Sequence, residues 1–308
     1  MTAREAIGPA EYDFEDLADR VAFGRARRDG SALSNTGLLD LGGSTLAFDT
    51  GLTLHAGRAI RAASVARTGR PPSLVANSHW HFDHLLGNQV FEGTPIYGTR
   101  RTVELLLEKR AEFESELAPE KIRAELRELE GRAAAATTAV GRERYEAVIR
   151  INRTLLEESA ELKLTPPNST FEGELALPGD LGARLVTYGS GHTLSDSMLF
   201  VEHARVLFAG DLIVSGTHPN LASGDPEHWL VVLDRIDQLR PERVAPGHGP
   251  VRSPEVIAEV RDYVVTLLEL AREPGEPSIP ARFRNWSEPE QFTTNLRFVR
   301  GRTPSAGS

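Results

Sequence analysis

No cysteine occurs anywhere in the 308 residues. Disulfides and thiolate metal ligands are therefore excluded, whichever redox compartment the chain occupies. Long apolar runs are also missing, and without a stretch of about 18 such residues no membrane-spanning helix is expected. The opening run Met1-Thr2-Ala3-Arg4-Glu5-Ala6-Ile7-Gly8-Pro9 lacks the apolar core, roughly 7–15 residues long, of a secretion signal. A cytoplasmic protein without membrane contact is the expectation. Basic excess is absent too: 35 Lys and Arg stand against 44 Asp and Glu, for a formal net charge of -9. Nucleic-acid binders need a positive field to displace counterions, so nucleic acid is not an expected partner. The 40% hydrophobic content suffices for a sizeable core in one large domain carrying an insertion.

Histidine is plentiful where it matters. The run Asn77-Ser78-His79-Trp80-His81-Phe82-Asp83-His84 places three imidazoles and a carboxylate within six residues. Such donors repel one another and are costly to desolvate together unless a cation offsets them, and neutral imidazole and carboxylate are donors that zinc prefers. If Leu74-Val75-Ala76 is a strand, His79 and His81 alternate onto one side past its end. Asp83 and His84 then fall where the chain turns and reach a second point. Three further donors follow apolar or Gly-flanked runs: His192 in Gly191-His192-Thr193, Asp211 in Phe208-Ala209-Gly210-Asp211, and His248 in Pro246-Gly247-His248-Gly249. Singly, each reads more readily as a capped or solvated loop residue. With the first cluster they read as metal ligands.

The surrounding pattern is α/β. A possible short helix over Asp13–Ala22 precedes strands at 35–41 and 44–49, which the Gly42-Gly43 dipeptide joins as a two-residue hairpin. A helix over 55–68, a strand over 73–78, a helix starting near Asp83 and a strand at Pro95–Gly98 continue the order. Residues 101–165 change character, dense in Glu, Arg, Leu and Ala, with apolar residues three and four apart. Two or three helices are expected there, broken near 118 and between 131 and 141. This helical insertion reads as a lid over the cleft, a dimer surface, or a hairpin packed on its own domain. Strands return after Pro166-Pro167, near 170–174, 184–188, 197–202 and 205–209. Asp225-Pro226 starts a helix to Leu239 with an N-cap and a first-turn proline. A strand at Arg243–Ala245 delivers His248, and a closing helix spans 254–272. The catalytic domain is taken as 1–273, with 274–308 a C-terminal tail.

The seven donors in this order resemble the signature of the metallo-β-lactamase-fold hydrolases, His-x-His-x-Asp-His and then a distant His, Asp and His. The likeness extends to Leu46–Gly51, similar to the family's first hairpin closing on a structural Asp49, and to Gly87-Asn88. It covers roughly residues 30–100 and 170–270. The fold so implied is a four-layer αββα sandwich, here with the helical insertion. His79, His81 and His192 would hold one metal, and Asp83, His84 and His248 a second, with Asp211 bridging. The implied cofactor is two Zn2+ per chain, with iron or manganese as alternatives. Asp83 and Asp211 are the carboxylates assigned to catalysis, and a metal-bridging hydroxide would attack the carbonyl of a small-molecule ester, thioester, lactone or amide. The commonest zinc β-lactamases resemble this pattern but place Cys where Asp211 stands, and flavo-diiron relatives carry Glu where His81 stands. The Asp-bridged group of glyoxalase II-like, lactonase-like and β-lactamase-like hydrolases fits better.

Three residues are candidates for substrate contact: Trp80 as an apolar wall, His218 as a donor to a leaving group, and Asn220 as a donor to a carbonyl oxygen. Packing and loop fixation are the competing roles for each. Asp196 is a candidate for orienting an imidazole. A homodimer through the insertion or the tail is a further expectation. The alternatives to a zinc hydrolase are a mononuclear iron persulfide dioxygenase on His79, His192 and Asp211, and a non-catalytic metal-binding relative. The first has Gly-His-Thr-Pro-Gly where this chain has Gly191-His192-Thr193-Leu194-Ser195; the second is expected to have lost a ligand, and none is lost.

Overall fold

The computed structural model describes residues 11–302. Residues 1–10, which include the whole N-terminal run discussed above, and residues 303–308 of the tail lie outside that description. The chain divides into two compact units. One comprises residues up to 77 with 81–97 and 103–169; the other comprises 78–80, 98–102 and 170 onward.

In the first unit, strands β1 (Tyr12–Ala18), β2 (Val21–Ala26), β3 (Thr36–Asp40), β4 (Thr45–Phe48), β5 (Leu74–Ala76) and β6 (Ile96–Thr99) lie side by side in chain order, followed by β7 (Ser169–Phe171). Pairing is antiparallel from β1 to β4 and parallel from β4 to β6. Register aligns one apolar residue per strand: Ala22 faces Leu38, Leu38 faces Ala47, Ala47 faces Val75, and Val75 faces Ile96. Helix α1 (Leu54–Thr68) packs Ala56 and Ile60, four residues apart, into the same core cluster as that row. Thr53 caps its start by accepting from Ala56 N, and Gly69 ends it in the left-handed region at φ 75°. The Gly42-Gly43 turn closes as expected, with Leu41 N donating to Ser44 O at 2.9 Å.

The expected helix over Asp13–Ala22 is instead the β1–β2 hairpin. A bulge between Asp16 and Ala18 breaks the two-residue alternation that identifies a strand, and Arg20 turns the chain at φ 60°. The helix expected from Asp83 is instead two short 3-10 turns, Phe82–His84 and Leu86–Phe91. Its carbonyl at His84 is captured by Thr50 N at 2.9 Å and by Asn77 Nδ2 at 3.1 Å, so it cannot serve an α-helical ladder. The insertion holds four helices rather than two or three: α2 (Arg100–Glu108), α3 (Arg110–Glu116), α4 (Pro119–Ala135) and α5 (Ala139–Glu158). The additional break, at Lys109, is shallow. Lys109 N still donates to Leu105 O and Phe113 N to Lys109 O, which explains why spacing alone reads α2 and α3 as one helix.

In the second unit the order is β12 (Arg243–Ala245), β11 (Val206–Phe208), β10 (Met198–Val201), β9 (Ala183–Val186) and β8 (Glu174–Ala176), antiparallel except for β11 with β12. Phe200 pairs with Leu207 and Leu207 with Val244, forming an apolar row. Helices α6 (Pro226–Gln238), α7 (Glu255–Leu270) and α8 (Glu290–Arg302) contribute Trp229, Val260, Tyr263 and Leu296 to its core cluster. Each such buried side chain contributes about 1.5–3 kcal/mol. Helix α8 was not evident among the prolines and arginines of 274–308. Its Phe292, Leu296 and Val299 recur at helical spacing and are buried in the core of their own unit.

The last residue of α5, Glu158, is buried and binds the start of α1: its carboxylate accepts from Leu54 N and His55 N at 2.8 Å each. This joins the insertion to the element it must pack against. Glu158→Ala is expected to lower stability by about 2–3 kcal/mol, since two backbone hydrogen bonds to a charged acceptor and its contact with His55 Nδ1 are lost. Glu161→Ala, which removes only an exposed pair with Arg58, is expected to stay within about 0.5 kcal/mol. Chemical denaturation of the two variants checks the difference.

Candidate metal centre

Each donor lies in a loop or turn that follows a strand: His79 and His81 after β5, His192 after β9, Asp211 after β11 and His248 after β12. Two groups of donors form. His79, His81, His192 and Asp211 each offer one ligand atom, and these lie within 4.8 Å of one another; Asp83, His84 and His248 do the same. All seven residues singled out from sequence thus fall in two clusters. A donor set of imidazoles and carboxylates, mostly buried and convergent, has the chemistry of a zinc or other first-row divalent site. Asp211 joins the two groups: its Oδ2 stands 3.4 Å from Nε2 of His192 and 3.4 Å from Nε2 of His248. The Pro246–His248 turn approaches this carboxylate only because residue 247 lacks a side chain, since a Cβ there would sit 1.9 Å from Asp211 Oδ1.

In His84, His79 and His192 the other ring nitrogen has a partner. His84 Nδ1 meets the buried carboxylate of Asp49 at 2.8 Å, leaving Nε2 directed toward Asp83, 3.4 Å away. His79 Nδ1 meets Ser78 Oγ at 2.9 Å. His192 Nδ1 meets the backbone carbonyl of Asn220 at 2.9 Å. Such partners fix which nitrogen is left to ligate. Asn220 therefore occupies the role considered for Asp196, whose carboxylate accepts from Thr193 N and Thr193 Oγ1 and shapes the loop that carries His192. The loop bearing Asp83 and His84 is held by a second network. Ser34 Oγ donates to Asp83 O at 2.5 Å, and the side-chain amides of Asn77 and Asn88 pair in both directions. Ser34, Ser78 and Asn77 act here through hydrogen bonds that residue type alone does not advertise.

The candidates for substrate contact divide. His218 is buried with its Nδ1 3.0 Å from Tyr263 Oη, ringed by Tyr263, Trp286 and Phe292. Burial lowers its pKa, so the ring is neutral. The Asn220 side chain accepts from Ala222 N and Gln291 Nε2. Both residues are engaged in fixing the loop. Trp80 is partly buried, and its neighbour Phe82 makes an edge contact with Phe113 of α3, ring centroids 4.9 Å apart. An insertion helix thus packs directly on the donor-bearing loop of its own unit.

A family description, the metallo-beta-lactamase superfamily, matches residues 30–248. A Caenorhabditis elegans protein described as a beta-lactamase-like protein 2 homolog is 33% identical over 84 residues, spanning 27% of this chain and 27% of that protein. Among solved structures, a metallo-beta-lactamase from Pontibacter korlensis aligns with TM-score 0.58 at 16% identity, covering 82% of this chain and 99% of that one. The metallo-beta-lactamase FIM-1 from Pseudomonas aeruginosa, solved in a mono-zinc form, aligns with TM-score 0.58 at 14% identity, covering 84% and 97%. At these identities the likeness is one of fold. Among the described residues no helix is long and apolar enough to cross a membrane.

Two outcomes follow from the geometry. Asp49→Ala frees His84 Nδ1 and is expected to weaken zinc binding by the Asp83, His84 and His248 group about 10–100-fold, measured by competition with a chelating dye. Asp196 concerns pH: burial, with a smaller contribution from the charge of Asp211, raises its pKa from 3.8 to about 7. The folded, metal-free chain then holds a proton that the unfolded chain releases near pH 4. Asp196 favours folding at low pH, and that contribution is lost as pH rises to about 7, with a slope of at most about 1.4 kcal/mol per pH unit. The carboxyl resonance of Asp196 is expected to titrate near 7 in metal-free protein; titration near 4 would contradict this.

Proposed function

The chain belongs to the metallo-beta-lactamase superfamily and has its fold, and from that premise we propose that it is a zinc-dependent hydrolase acting on the carbonyl of a small-molecule ester, thioester, lactone or amide. The observation that carries this reading is the position of Asp211 Oδ2, 3.4 Å from a ring nitrogen of each donor group. A carboxylate so placed suits two cations, with His79, His81 and His192 around one and Asp83, His84 and His248 around the other. Zinc bound by such donors lowers the pKa of water to near neutrality and polarises a carbonyl oxygen.

The residues supply the rest. Neutral imidazoles keep the donor set from adding charge, while Asp83 and Asp211 bring two negative charges to balance the cations. Asp49 and Asn220, which can only accept, hold the His84 and His192 rings in the tautomer that presents Nε2, and Ser78 Oγ meets Nδ1 of His79. Trp80 is the remaining candidate for apolar contact with substrate. The insertion, pressed on Phe82 through Phe113, is assigned to shaping access to the donors.

Protein purified without added metal is expected to carry about two zinc ions per chain. Asp83→Ala is expected to retain one and to lose most turnover of whichever thioester, lactone or β-lactam the parent hydrolyses. About one iron per chain, with oxygen consumed on a persulfide, would overturn the hydrolase reading. Unchanged turnover in Asp83→Ala would remove the second metal from it.

A further inference from the structure

We infer that Asn295, on helix α8 and beyond the residues that match the family, is a positioning residue for the metal centre: it clamps the backbone on both sides of Asn220 and so aims the carbonyl that sets His192. This rests on the reading of His192 as a ligand. The segment Pro219–Leu221 belongs to no helix or strand, so no ladder of backbone bonds directs its carbonyls. Asn295 replaces that ladder. Its Nδ2 donates to Pro219 O at 2.7 Å and its Oδ1 accepts from Leu221 N at 2.9 Å, while Asn220, between them, receives His192 Nδ1 at 2.9 Å on its own carbonyl.

The amide is used to its full capacity. Besides the two backbone groups, Nδ2 reaches Tyr263 Oη at 3.2 Å and Oδ1 accepts from Gln291 Nε2 at 2.9 Å. Two donors and two acceptor sites in one plane are what an Asn side chain offers. Its orientation is unambiguous, because a backbone N–H can only donate and a carbonyl can only accept. Aspartate would turn a carboxylate oxygen toward Pro219 O, and leucine would strand both backbone groups in a place where Asn295 is wholly buried. Gln291 extends the clamp by donating also to Asn220 Oδ1 at 3.2 Å. At the other end of the same loop, Arg302 donates to Gly224 O. A Cβ at Gly224 would fall 2.0 Å from Gly191 O and 2.5 Å from His192 O, so the strap and the ligand loop are in close contact.

The consequence is chemical rather than only structural. A His192 ring whose Nδ1–H is held by a fixed carbonyl presents Nε2 as a lone pair toward Asp211 Oδ2, 3.4 Å away. With the carbonyl released, the ring can rotate or adopt the other tautomer, and affinity at the first group falls while the second is untouched.

The test uses full-length chain carrying Asp83→Ala, so that a single zinc remains, with affinity read by chelator competition. Asn295→Ala is expected to weaken that zinc about 10–100-fold and to alter the visible absorption of the cobalt-substituted site. Gln291→Leu, at a less buried position, is expected to do the same to a smaller degree, and it carries the test should Asn295→Ala fail to fold. Val299→Ala, a core truncation on the same helix, is the control: it lowers the melting temperature with zinc affinity unchanged. Parent-like affinity in both clamp variants, or an equal loss in Val299→Ala, would overturn the inference. A parent that binds its first zinc in a His192→Ala background as tightly as before would overturn instead the assignment of His192, and the inference with it.

Discussion

A histidine that ligates through one nitrogen is oriented by the partner of its other nitrogen, and for three of the donor histidines the fold supplies that partner. Three solutions occur in one chain. His84 leans on a buried carboxylate, His79 on a neighbouring hydroxyl and His192 on a backbone carbonyl. They differ in strength. A carboxylate partner makes an imidazole more basic than a carbonyl or a hydroxyl does, so the two donor groups differ in electronic character although both are rich in histidine. His84, backed by Asp49, is the more electron-rich imidazole, and His192 depends more on the rigidity of the loop that carries its partner.

That dependence explains where the structure spends its buried hydrogen bonds. Around His84 the chain itself is pinned: Thr50 N and Asn77 Nδ2 hold the His84 carbonyl, and Asn77 pairs with Asn88. Around His192 the partner loop is pinned instead, by Asn295, Gln291 and Arg302 from α8. Without a cation the metal-free chain is costly to fold, because Asp49 and Asp211 are buried carboxylates. A cation that binds only the folded chain offsets this through mass action, so metal and fold are thermodynamically linked.

What could be read from sequence follows the same division. The seven donors are legible because side-chain chemistry at close spacing marks them, Asp49 through the likeness of its hairpin to the family's, and the Leu38, Ala47, Val75 and Ile96 row because apolar runs alternate with turns. Asn220 is marked in sequence by its side chain, while its carbonyl, which every residue possesses, meets His192. Asn295 carries no mark at all, being more than 70 positions from the residues it holds and in a segment whose prolines obscure a helix. The β1–β2 hairpin was hidden by a bulge, and the 3-10 turns after His81 by a bond from Thr50 that no local pattern encodes. Local propensity marks side chains that act on neighbours; it is silent on backbone groups whose partners arrive from elsewhere in the chain.

The same reasoning locates substrate choice. Donors that must all face a cation leave little freedom for variation, so selectivity has to reside in elements that border them without ligating. Two such elements are visible, and they are built differently. The loop from Ser215 to Leu221 is fastened: His218 N donates to Ser287 O, Ser287 N to Gly216 O, and its histidine ring lies among Tyr263, Trp286 and Phe292. The insertion meets the donor loop through an edge contact between Phe113 and Phe82 and is secured farther off by Glu158 on α1. An aromatic edge contact is worth about 0.5–1.5 kcal/mol beyond the area it buries and has little directional demand compared with a set of hydrogen bonds. A fastened loop therefore holds the His192 ring, and on the proposed hydrolase reading the helix that rests on Phe82 is the part free to differ with substrate.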